Sequence, residues 1–175
     1  MDNPKNTDKY FSINQSTGQI SITKKLDFEQ KSKHNLEILA FDGLHQAKSI
    51  VEIELTNIND NAPQLMVSLI NDGKIWENEK NAEILVATVR VSDPDYDFLD
   101  ASMKKPMIEL SPQNAPFKLN NLPSHTGLLY SITTTEILDY ESQSNYNLKL
   151  KACEDDLCSE KPLHFQVQDK NDNQP

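Results

Sequence analysis

Apolar and polar residues largely alternate along Asn35–Ala40, Tyr146–Ala152, Ser49–Leu55 and His164–Val167, the period of two expected of strands with one buried face. Further strand candidates lie at Leu65–Ile70, Glu83–Ser92, Met107–Leu110, Phe117–Leu119 and Leu128–Thr133, separated by clusters of Asn, Asp, Pro and Gly. Residues 63–175 thus hold about seven short strands, the pattern of an antiparallel sandwich, whereas residues 1–62 hold only about four. No stretch sustains a helical period over three turns. A sandwich without its opening strands, the counterparts of Leu65 to Met107, leaves half its core faces in water. Residues 1–62 therefore read as the C-terminal part of a domain and residues 63–175 as a complete one. A cut in the expressed chain, a cleaved but associated partner or strand exchange would each account for the strands that are missing.

The two parts repeat one another. Leu26-Asp27-Phe28-Glu29 recurs as Leu138-Asp139-Tyr140-Glu141, an offset of 112 residues (138 − 26). Ala40-Phe41-Asp42 returns at that offset as Ala152-Cys153-Glu154, and Asn57-Ile58-Asn59-Asp60-Asn61 as Asp169-Lys170-Asn171-Asp172-Asn173. Three motifs at one constant offset argue for tandem units of one fold.

These motifs, with Trp76-Glu77-Asn78 after one strand and Asp93-Pro94-Asp95 after the next, resemble the extracellular repeats of cadherins. The resemblance covers essentially the whole chain and implies an all-β fold: seven-stranded Greek-key, immunoglobulin-like sandwiches in tandem. It also implies Ca²⁺ as the cofactor. Asp27, Glu29, Asn57, Asn59, Asp60, Asn61, Asp93, Asp95 and Glu154 would serve one junction. Glu77, Asp139, Glu141, Asp169, Asn171, Asp172 and Asn173 would form half of a second. The chemistry of the residues agrees, because carboxylates and amide carbonyls are the hard oxygen donors that Ca²⁺ takes, about 6–8 at a time. Asp60-Asn61 and Asp172-Asn173 stand just before Pro63 and Pro175, so a stiff extended segment presents them. Without calcium the repeats are expected to hinge about residues 57–63.

Departures from the family pattern affect the first junction. It has no counterpart of Glu77, its linker begins with neutral Asn57, and Glu154 stands where the family usually has Asp. The Asn expected after Asp93-Pro94-Asp95 is absent, although Asp100 or Ser102 could serve. Weaker or incomplete occupancy is expected there, with the ion nearest the full repeat best preserved.

Cys153 and Cys158 are spaced for a bridge across the turn joining the last two strands, as an oxidising extracellular setting would allow; two independent thiols are the alternative. Asn14-Gln15-Ser16 is a glycosylation sequon on an expected turn. Trp76, beside Glu77, is expected in the core or against the linker, rather than as the exchanged adhesive Trp of some cadherins.

Charge and composition narrow the function. The chain of 175 residues carries 27 Asp+Glu against 17 Lys+Arg, a net charge of -10, which repels nucleic acid and anionic membranes and favours cations. Residues 63–175 hold most of the excess, 18 acidic against 10 basic. With four glycines and neither GxGxxG nor GxxxxGK[ST], no phosphate-cradling loop is expected. His34, His45, His125 and His164 are scattered, without HExxH or a Cys/His metal spacing, and are expected at surface or edge positions. No nucleophile constellation suggests an enzyme or a small-molecule substrate. Met1-Asp2-Asn3-Pro4 is not a signal peptide, and no apolar run approaches a membrane span, so if the parent protein is secreted or membrane-bound, this chain is expected to be a piece cut from it.

The resemblance implies an extracellular fragment of the ectodomain of a single-pass plasma-membrane protein that mediates calcium-dependent cell–cell adhesion. Its partners would be other cadherin ectodomains, homophilic or heterophilic, and neighbouring repeats of the parent chain. A receptor ectodomain that uses such repeats to bind a ligand is the alternative.

Overall fold

In the strand Asn145–Glu154 every second side chain is withdrawn from water: Tyr146, Leu148, Leu150, Ala152 and Glu154 are buried. The same alternation marks the second half of the strand Leu157–Gln168, where Leu163, Phe165 and Val167 are buried. The structure is a computed structural model that describes residues 9–95, 105–125 and 127–171. The chain divides into two compact units, Met1–Asn59 and Asp60–Pro175.

The second unit contains β5 (Gln64–Leu69), β6 (Lys74–Trp76), β7 (Leu85–Ser92), β8 (Met107–Ser111), β9 (Phe117–Leu122), β10 (Leu128–Thr134), β11 (Asn145–Glu154) and β12 (Leu157–Gln168). They form two four-stranded sheets, ordered β5-β7-β10-β9 and β6-β12-β11-β8. β5 and β6 are two halves of one edge strand that changes sheets, so the unit is the expected seven-stranded sandwich with its first strand divided. Phe165, Ile132, Leu150, Val89 and Val167 are fully buried in a single core fed by both sheets. Phe165 stacks on Phe117 with ring centroids 5.0 Å apart.

The change of sheet occurs in a short 3-10 turn, Ile70–Gly73, where Asn71 and Asp72 take φ of 48° and 54°. Gly73 follows at φ 80°, and a Cβ there would stand 2.6 Å from the backbone oxygen of His164. The turn therefore requires glycine for both conformation and space. It also delivers β6 parallel to β12, with Trp76 opposite Gln168. Three residues are too few for period-two patterning, and β6 was not among the expected strands.

The first unit contains β1 (Phe11–Ile13), β2 (Ile20–Ile22), β3 (Lys33–Phe41) and β4 (Gln46–Glu54), which pair as two antiparallel hairpins. Its buried hydrophobic residues among those described are Phe11 and Leu36. Ile22, Phe41, Leu44 and Ile50 are more than 60% exposed. An apolar cleft lined by Phe11, Ile13, Ile20, Leu36, Ile38 and Leu39 runs through this unit.

Burial overturns the surface position expected of His34 and the core position expected of Trp76. His34 is 1% exposed, because the rings of Tyr10 and Phe11 meet it edge-on at 5.4 and 5.1 Å. Trp76 is 53% exposed, because it occupies the outward position of β6 between buried Ile75 and Glu77. The other three histidines are exposed, as expected.

Candidate metal centre

Glu77 leaves the end of β6 pointing inward, and its side chain is fully buried. A carboxylate can occupy such a place only if its oxygens are satisfied. One oxygen of Glu77 accepts the Lys170 N–H at 2.6 Å, the other the Tyr140 N–H at 2.8 Å. The Glu77 N–H donates to the Gln168 carbonyl at 3.2 Å and the Asn78 N–H to that of Leu138 at 3.1 Å. One residue thus ties β6, the turn after Leu138 and the segment after β12 into one end of the sandwich.

Two further carboxylates converge on Glu77. Oxygens of Glu77, Glu141 and Asp169 all lie within 4.8 Å of one another. Like charges gathered so closely repel, by about 1 kcal/mol or less per pair where one partner is open to water. A divalent cation reverses the sign of this cost, and three hard oxygen donors, with Glu141 and Asp169 open to water, suit Ca²⁺. Asp139 does not join them. Its carboxylate accepts the Glu141 N–H at 3.1 Å and the Ser142 hydroxyl, and the Ser142 bond holds its carboxyl below the ordinary range. Asn171 is exposed, with a left-handed φ of 50°, and its N–H donates to Asp169 at 2.8 Å.

The opposite end of β12 carries a second acidic pole. Asp95 is buried; one of its oxygens accepts the N–H groups of Asp60 and Asn61 at 3.1 and 2.7 Å, and the other accepts the Asn61 amide at 2.8 Å. The Asp95 N–H donates to Asp93 Oδ1 at 2.9 Å. Asp93 Oδ2 is buried and has no hydrogen-bond partner. Burial pushes the Asp93 carboxyl above its ordinary value; the Asp95 N–H opposes this and the Asp95 charge adds to it. A buried, unpartnered carboxylate oxygen is costly unless something positive meets it, so this pole also fits a cation. Glu154 is 2% exposed at the end of β11, one residue beyond Cys153. The Cys153–Cys158 disulfide is formed across the β11–β12 hairpin, with Cα atoms 4.2 Å apart.

In the first unit, Asp27 accepts the Gln30 N–H at 2.9 Å and the Gln30 amide at 2.7 Å, closing a turn much as Asp139 does. Glu29 and Asn57 are exposed, and Asn59 Oδ1 is buried without a hydrogen-bond partner. Asn14 is exposed in the β1–β2 turn, where its side-chain oxygen accepts the N–H groups of Ser16 and Thr17. Asp100, Ser102, Asp172 and Asn173 lie outside the described residues. Sequence reasoning missed the backbone donors of Tyr140 and Lys170 that secure Glu77, because any residue supplies an N–H.

The second unit is thus a two-sheet β-sandwich with an acidic, oxygen-rich pole at each end. A family model described as the cadherin domain matches residues 2–56. Protocadherin-11 X-linked of Pongo pygmaeus is 32% identical over 175 residues, covering 95% of this chain and 12% of its own length, and the Homo sapiens protein is 31% identical. Among solved structures, PcdhgB3 EC1-4 superposes with a TM-score of 0.75 at 25% identity, over 93% of this chain and 38% of that one. The protocadherin gammaB4 extracellular domain gives 0.72 at 29%, over 93% and 25%. The chain belongs to the cadherin superfamily. It spans only 12% of the length of the Pongo pygmaeus relative and 15% of that from Sus scrofa.

Proposed function

We propose that this chain is a calcium-binding extracellular piece of a cell–cell adhesion protein, residues 1–62 being the C-terminal part of one cadherin repeat and residues 63–175 a complete repeat with its following linker. The observation that carries the reading is the convergence of Glu77, Glu141 and Asp169 oxygens within 4.8 Å at the end of a cadherin-type sandwich. Asp139, Asn171, Asp172 and Asn173 complete that ligand set in this reading. Asp27, Glu29, Asn57 and Asn59 of the first unit, and Asp60, Asn61, Asp93, Asp95 and Glu154 of the second, supply the other.

A bound calcium ion would offset the repulsion among these carboxylates. The chain's own part is to hold the oxygens in place, through the N–H groups of Tyr140 and Lys170 at one pole and of Asp60, Asn61 and Asp95 at the other. No catalytic step belongs to this function. Asn14 carries a glycan in this reading, the parent is a single-pass plasma-membrane protein, and its partners are other cadherin ectodomains, homophilic or heterophilic.

Calorimetric titration of the chain with calcium is expected to show saturable binding that Glu141→Gln weakens. Absence of binding at millimolar calcium refutes the calcium reading. Aggregation of beads coated with the intact ectodomain tests adhesion, and calcium-independent aggregation, or none, refutes that part.

A further inference from the structure

Glu154 occupies a place the chain should not hold easily. It is buried, yet it begins the acidic run Glu154-Asp155-Asp156 and sits at the tip of a hairpin, where strands fray. The tip turn is two residues long, between Glu154 and its cross-strand partner Leu157, and Asp155 in it takes a left-handed φ of 48°. Asp93 and Asp95 are buried at this same end of the sandwich. Gln64, at the start of β5, pairs with Ser92 just before Asp93. The Ser159 hydroxyl, opposite Ala152, donates to the Pro63 carbonyl. Desolvation therefore favours moving Glu154 outward into water.

One covalent device opposes this. The Cys153–Cys158 bridge joins the two strands one pair before the tip, on directly opposed residues. It closes so short a loop that it adds little to the stability of the sandwich as a whole, whose core lies farther along β11 and β12. Its local effect is that the backbone of Glu154 cannot separate from Leu157. We propose that the Cys153–Cys158 bridge is a positioning element for Glu154, holding its carboxylate at the Asp93–Asp95 end of the sandwich against the cost of burial and so keeping that pole ready for calcium. The calcium half of this statement rests on the function proposed above; the positional half does not.

The experiment compares the whole chain with the Cys153→Ser/Cys158→Ser double variant by amide NMR and hydrogen exchange. The amides of Asp60, Asn61 and Asp95, which donate to the carboxylates of one pole, report that pole; those of Tyr140 and Lys170 report the other. Without metal, tip amides from Glu154 to Leu157 are expected to exchange at least tenfold faster in the double variant while core amides are unchanged. On titration with calcium, the double variant is expected to lose roughly tenfold in affinity at the Asp93–Asp95 pole, the lower end of the range for removing a supporting partner of a metal ligand. The Glu77 pole should be unaffected. Adding Glu154→Gln to the double variant should cost little more, since both changes remove the same ligand. Unchanged tip exchange overturns the proposal, as does equal loss of affinity at both poles. If the oxidised wild-type chain binds no calcium at all, the calcium reading fails, and the metal-free exchange alone decides whether the bridge positions Glu154.

Discussion

Replacing Glu77 with Gln isolates what one buried carboxylate does. The wild-type side chain accepts two backbone N–H groups, at 2.6 and 2.8 Å, with no exposure to water. Hydrogen bonds to a charged group contribute about 1.5–3 kcal/mol each. Gln keeps one acceptor oxygen but turns an NH₂ toward the other donor, so the loss is about 2–3 kcal/mol, one charged bond and one stranded N–H. Removing a negative charge near Glu141 and Asp169 returns part of this. Both are exposed, and interactions of solvated charges contribute about 1 kcal/mol or less. In chelator the net cost is about 1–2 kcal/mol, which lowers the melting temperature of a unit of this size by roughly 4–8 °C. Calcium should widen the gap, because a ligand at a hundredfold excess over its dissociation constant stabilises the wild type by about 2.7 kcal/mol and the variant by less. The assay is thermal melting at physiological salt, with and without millimolar calcium, followed by the fluorescence of Trp76, the chain's single tryptophan, next to Glu77. A variant that melts at or above the wild type in chelator refutes the bracing argument, and an equal deficit with and without calcium refutes the cation role of Glu77.

Phe165→Ala removes a fully buried ring stacked on Phe117 and is expected to cost about 3–5 kcal/mol, read as loss of the cooperative denaturant transition of the second unit. Gly73→Ala forces a Cβ to 2.6 Å from the His164 oxygen at a φ of 80°; destabilisation by about 1–3 kcal/mol is expected from the backbone conformation alone, and a denaturation midpoint equal to wild type would contradict the turn geometry. The raised carboxyl of Asp93 predicts a pH dependence. Its folded form holds a proton more tightly than the unfolded chain, so stability in chelator falls as pH rises from the ordinary aspartate value through the raised one, then levels off. Asp93→Asn should remove that slope and stabilise the calcium-free protein at neutral pH while weakening calcium binding, as followed by chemical denaturation across pH; an unchanged slope would show that Asp93 is not its source.

Much of the sandwich was legible because its long strands have one dry face. In β11 the buried positions fall on every second residue, so period-two reading found the strand, with ends that differ from the expected ones by one or two residues. β6 escaped because a three-residue strand has no period, and it exists only because Asn71, Asp72 and Gly73 turn the chain toward β12. His34 is not at the surface, and Trp76 is not in the core. A Trp faces water when its two neighbours are needed inside, and a His is buried when two rings are available to cover it. Burial at these positions depends on partners distant in sequence, and no local pattern carries that.

The acidic motifs were legible as groups but not as roles. Leu-Asp-aromatic-Glu occurs twice, and sequence gave its Asp and Glu equal standing as ligands. In the folded chain they divide the work. Asp139 is held by the N–H of Glu141 and the hydroxyl of Ser142, and Asp27 by Gln30. Each Asp closes the turn that leads into the final hairpin of its unit, Asp27 between β2 and β3 and Asp139 between β10 and β11, while Glu141 reaches the oxygens of Glu77 and Asp169. The turn's closure fixes where the Glu begins, so the Asp shapes the site even before it touches any ion. Asp139→Asn, which keeps an acceptor for the Glu141 N–H, should therefore weaken calcium binding at this pole less than Asp139→Ala, which opens the turn. Equal losses in a calorimetric titration would show that the charge of Asp139, and not its turn, is what the site uses.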